Sequence, residues 1–181
     1  MSALDNDADG LNDKEFEENL KLFENMLANG QIHFFDADDI EEIIDYYLQW
    51  LNYDMAKKAI DFGLERYPFS TIIKIRNAQY LSSQHNTHEA LQVLNEVEQI
   101  DQGNFELYMA RGYIYSQIGL GEQAIENFKN AIPLTDQKDE VFVALGVEFL
   151  NEEKPEDALY YLKKAIKLNP KNEVALNELS L

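Results

Sequence analysis

The chain contains no cysteine, which excludes a disulfide framework, a thiolate metal site and a cysteine nucleophile, and fits a reducing, cytoplasmic setting. Positive charge is also scarce: 15 Lys and Arg stand against 34 Asp and Glu, a net charge of −19. Such a field repels DNA, RNA and anionic lipid and attracts basic partners, so neither nucleic-acid nor membrane binding is expected. No run approaches the ~18 consecutive apolar residues of a membrane span. The acidic start, Met1 to Asp13, lacks the basic, then apolar, then small-residue order of a secretory leader. What the chain does have is 45% hydrophobic residues in 181, enough to bury a core and to argue against wholesale disorder.

Those apolar residues recur with a fixed period. Ala56, Ala90, Ala124 and Ala158 are each 34 residues apart. Four positions on stand Ile60, Leu94, Phe128 and Leu162, and seven positions on stand Gly63, Val97, Ala131 and Ala165. Small, large, small at i, i+4, i+7 is one face of a helix. A second helix precedes it in each period, carrying Ile40, Lys74, Tyr108 and Phe142, then Ile43, Asn77, Arg111 and Leu145, then Ile44, Ala78, Gly112 and Gly146. Pro68 and Pro170 fall where the second helix must stop, because the residue before proline is driven out of the helical region. Asp54, Thr87, Gly119 to Gly121 and Pro155 mark helix starts between the two.

The pattern resembles the tetratricopeptide repeat (TPR), most fully over 139–172, where Phe142, Leu145, Gly146, Phe149, Ala158, Leu162, Ala165 and Pro170 all occupy signature positions. Residues 105–138 fit through Tyr108, Gly112, Tyr115, Ala124, Phe128 and Ala131, with Arg111 at the leucine position and Asp136 at the proline position. Units 37–70 and 71–104 are looser. The resemblance implies an all-α fold, a right-handed α-α superhelix of antiparallel hairpins, and a protein-binding scaffold without catalytic activity. A small residue in one helix lets its partner approach closely, and a hairpin that cannot bury its face alone stacks on the next. Phe35-Asp36-Ala37-Asp38-Asp39-Ile40 resembles the front of longer bacterial TPR proteins of no assigned activity.

Outside the four units, residues 1–13 are expected to form an acidic, disordered tail, and 14–36 a packing helix with its connector. Phe16, Leu20, Phe23 and Leu27 form the stripe of that helix, and Gly30 stands where a left-handed cap belongs. Residues 1–45 hold 14 acidic and two basic residues, so the charge is concentrated toward the amino terminus. Residues 173–181 are expected to start a further unit or to form a C-terminal helix, with Leu176 and Leu179 in register.

No catalytic, cofactor-binding or metal-binding constellation is expected. Asp5-x-Asp7-x-Asp9-Gly10 has calcium-loop spacing, but Phe16 stands where the closing bidentate carboxylate belongs. His85, His88 and Glu89 lack a second ligand cluster, and His33 is isolated. Gly119-Leu120-Gly121 follows no strand, so it is no phosphate loop. With three histidines and no strand-to-helix serine elbow, little remains for an enzyme.

The surface of interest is the stripe that TPR proteins turn toward their concave groove. It reads Asp38, Glu41, Asp45, Leu48; Ile72, Ile75, Gln79, Ser82; Glu106, Met109, Tyr113, Ser116; and Glu140, Val143, Val147, Leu150. The expected partner is a protein or peptide segment, apolar with basic residues. Ile75, Met109, Tyr113, Val143 and Val147 would be its anchors, Gln79 a polar neighbour, and Glu41, Asp45 and Glu106 would meet its charges. TPR domains that grip chaperone tails use Lys, Arg and Asn here; Glu41 and Asp45 would repel such an anionic tail. The alternative is a self-associating or structural piece of a longer array. Val141 to Leu150, with Glu148 its only charge, is apolar on every side and calls for cover on every side.

Overall fold

The structure, a computed structural model, describes the backbone of residues 3–179 and the side chains of residues 14–179. Among these it is all helical. Helix α1 spans Ala3–Asn29, α2 Ala37–Gln49, α3 Tyr53–Arg66, α4 Thr71–Ser83, α5 Thr87–Ile100, α6 Phe105–Gln117, α7 Gly121–Ala131, α8 Lys138–Asn151, α9 Pro155–Leu168 and α10 Glu173–Leu179. A 3-10 turn at Ile132–Leu134, with Pro133 inside it, follows α7. The chain divides into two compact units, 1–80 and 81–181.

In the first unit, α2 begins on a capping box. The Asp39 backbone N–H donates to the Asp36 carboxylate and the Asp36 N–H to the Asp39 carboxylate, both at 2.9 Å. Its buried face, Ile40, Ile43, Ile44 and Tyr47, packs with Ala56, Ala59 and Ile60 of α3. Phe23 of α1, Phe35 and Phe62 meet edge to face at centroid distances of 6.0, 5.8 and 5.9 Å. The α1 stripe turns out slightly rotated: Phe16, Leu20, Phe23 and Met26 pack inward, whereas Leu27 stays 41% exposed. Gly30 takes the expected left-handed conformation at φ +69° and donates to the Met26 carbonyl at 2.9 Å. Residues 3–13, expected as a disordered tail, have helical backbone as the first part of α1. The side chains of Asp5 to Asp13, and with them the calcium spacing, lie outside the described residues.

In the second unit, Ala124, Phe128 and Ala131 of α7, Val141, Leu145 and Phe149 of α8, and Ala158, Leu162 and Ala165 of α9 share one buried cluster, which Ala175 of α10 joins. A Cβ on Gly146 would stand 2.6 Å from Leu162 Cδ2, so the bare backbone is what lets α8 and α9 touch. Arg111, at the leucine position of its unit, is buried with one end of its guanidinium anchored and its Nε without a hydrogen-bond partner. Its Nη2 donates to the Leu94 carbonyl at 3.2 Å, to Asn95 Oδ1 at 3.1 Å and to Glu98 Oε2 at 2.9 Å. The long stem covers apolar surface while the charge finds a carboxylate, which is how an arginine replaces a core leucine. No helix among the described residues is long and apolar enough to cross a membrane.

Candidate peptide-binding groove

In the second unit, residues of α6, α7 and α8 and the start of α10 line a pocket of about 380 Å³. Its apolar walls are Tyr113, Phe128, Val143, Ala144, Val147 and Val174; Ser116, Glu140, Glu148 and Asn172 supply its polar atoms. Helix spacing explains the set. Glu140, Val143, Ala144, Val147 and Glu148 recur at i, i+3, i+4, i+7, i+8 and so share one face of α8. Tyr113 leans on the fully buried Phe128 ring, centroids 5.2 Å apart at 66°, and stays 44% exposed.

The electrostatics of the pocket are one-sided. Glu140 is held above its usual carboxylate range, first by burial and then by the negative charges of Asp139 and Glu106. Burial and, after it, Glu140 push the Tyr113 phenol up to about 12. Deeper in, Glu148 is 4% exposed and accepts hydrogen bonds from Ser116 Oγ and from Asn151 Nδ2. Among the described residues no basic side chain pairs with Glu140 or Glu148. A raised carboxylate pKa means that the folded state loses stability as pH climbs through it. Glu140→Gln is therefore expected to raise the melting temperature at neutral pH and to leave it unchanged well below the carboxylate range, as thermal unfolding at the two pH values will show.

Of the stripe singled out by sequence, the pocket brings together Tyr113, Ser116, Glu140, Val143 and Val147. Ile75 and Met109, expected as groove anchors, are 0% and 4% exposed; Met109 sits in the same cluster as Ala144 and Leu145 and serves the core. The fifth position of the unit points between helices in these two, whereas at Val143 it still reaches the surface. Glu41 and Asp45, expected to meet a partner's charges, are held by an arginine of the chain itself. Arg76 Nη2 lies 2.6 Å from Glu41 Oε1, and Arg76 Nε lies 2.6 Å from Asp45 Oδ1. Gln79 is half-buried on α4 and lines no part of the pocket. Phe128, Ala144, Glu148, Asn172 and Val174 also line the pocket, outside the stripe expected from the sequence. For Glu148 a signal existed, a lone charge in an apolar run. No group of three or more His, Asp or Glu among the described residues could hold a metal ion.

The family profile described as "Tetratricopeptide repeat" matches residues 105–136 and 139–172. Residues 105–136 and 139–172 are tetratricopeptide repeats. These two matched repeats supply α6, α7, α8 and α9, and therefore most of the pocket. The TPR fold extends beyond them: TTC0263, a thermophilic TPR protein of Thermus thermophilus, superposes with a TM-score of 0.75 at 21% identity, covering 96% of this chain and 93% of that one. PilF of Pseudomonas aeruginosa gives 0.70 at 23% identity over 78% of this chain and 65% of its own. YrrB, described as a TPR protein with an unusual peptide-binding site, gives 0.64 at 20% identity over 93% and 85%. No curated protein sequence matches the chain.

Proposed function

We propose that the chain is a non-enzymatic interaction scaffold that binds an apolar peptide segment carrying basic residues in the groove formed by α6, α8 and α10. The observation that carries this reading is the pocket itself: apolar walls, with carboxylates at its rim and base that no basic side chain among the described residues neutralises, in an acidic chain. Apolar area removed from water provides the driving force, and charge complementarity selects the partner. Tyr113 suits the role, because an aromatic ring with a polar tip is favoured at interfaces. YrrB is a precedent for a peptide site on this fold, at a level of identity that speaks for the fold alone.

Panning a random peptide display library on the full chain tests the reading. The wild type is expected to enrich peptides that combine apolar with basic residues. Tyr113→Ala combined with Val147→Asp should recover none of them while keeping the helical circular dichroism of the wild type, since both side chains reach the surface. Recovery of the same peptides by the doubly substituted chain contradicts the groove.

A further inference from the structure

The pocket is more selective than an acidic, apolar groove in general. Resting on the proposed function above, we infer that it takes a single lysine side chain of the bound peptide, with the ammonium seated on Glu148.

Three observations converge. Glu148 lines the pocket yet is 4% exposed, so its charge is largely withdrawn from water without a counter-ion. A carboxylate in that state is costly unless it is paired. Both donors supplied by the protein, Ser116 Oγ and Asn151 Nδ2, go to the same oxygen, Oε2. Oε1 receives none among the described residues, and it is not sealed off from solvent. One acceptor thus stands available in a pocket whose walls are mostly hydrocarbon.

The shape of that opening discriminates between basic groups. A guanidinium is a planar fork that binds best when both carboxylate oxygens are free; an ammonium is a compact point charge that one oxygen can receive. Val143, Val147, Tyr113 and Val174 offer apolar surface for a four-carbon stem, while the charged tip is the only part that needs a polar partner. Glu140 lies eight residues before Glu148, about 12 Å along the helix axis. It is therefore out of reach of the same ammonium and remains at the rim to attract basic residues elsewhere in the peptide.

Panning the same library on the wild type and on Glu148→Gln tests the inference, since the glutamine keeps the size of the side chain and an oxygen for Ser116. With the wild type, lysine is expected to dominate one position flanked by apolar residues. In a representative recovered peptide, lysine replaced by norleucine should bind roughly tenfold to a hundredfold more weakly, the scale of a hydrogen-bonded charge lost from a dry site. Glu148→Gln should still recover apolar peptides and lose the lysine preference. Arginine or a neutral residue serving as well as lysine, or an unchanged preference in Glu148→Gln, overturns the lysine seat and leaves the groove standing. No enrichment by the wild type over the Tyr113→Ala, Val147→Asp chain overturns both.

Discussion

Phe128→Ala is expected to destabilise the second unit by about 3–5 kcal/mol, the range for removing a large buried aromatic from a packed core. Phe128 is 1% exposed, packs in the cluster that joins α7, α8 and α9, and holds Tyr113 edge to face at 5.2 Å. Its loss opens a cavity at the back of the groove and frees Tyr113 from its support. Repeat arrays unfold by units and nearest-neighbour interfaces, so the damage should remain local. Hydrogen exchange will show it as faster exchange in α6, α7 and α8. The chain's one tryptophan, Trp50, lies in the first unit and is 68% exposed, so its fluorescence should change little. Unaltered exchange in α6 to α8 would mean that Phe128 does not carry this core.

Gly112→Ala should show the opposite sign in two backgrounds. A Cβ on Gly112 would stand 2.6 Å from Phe128 Cδ1 and closer still to Cε1, against a rigid ring with no flexible end to move aside. Alanine gains about 1 kcal/mol over glycine in a helix, while overpacking costs about 1–3 kcal/mol, so the single substitution is expected to destabilise. In Phe128→Ala the ring is gone and only the helical gain remains. The same substitution should then stabilise. Chemical denaturation of the four proteins completes the cycle, and the coupling should equal the clash. An equal effect in both backgrounds would show that the close approach of α6 to α7 does not depend on the bare glycine.

The framework of the fold was legible because it is periodic. The 34-residue spacing of Ala56, Ala90, Ala124 and Ala158 placed eight of the helices, and every one of those alanines is buried. Capping chemistry was partly legible: the cap of α3 is Asn52, whose side chain receives the Met55 N–H at 3.3 Å, rather than Asp54. The groove was less so. A stripe at positions two, five, nine and twelve names the helix face that turns toward the groove, but the depth of each residue depends on the neighbouring helix. Ile75 and Met109 fell on the buried side of that boundary, and Val143 and Val147 on the open side. Charge told even less, because the pairing of Arg76 with Glu41 and Asp45 joins residues more than thirty apart in sequence. Glu148 stood out as a lone charge; its role at the base of the pocket emerged only from the hydrogen bonds it makes and the one it lacks.

The most direct measurement is methyl-detected NMR of the full chain during titration with a peptide recovered by panning. Binding in the groove predicts saturable shifts at the Val143, Val147 and Val174 methyls, weakening as salt is raised because the attraction to the carboxylates is screened. Shifts confined to other surfaces, with those three valines unmoved at saturation, would contradict it.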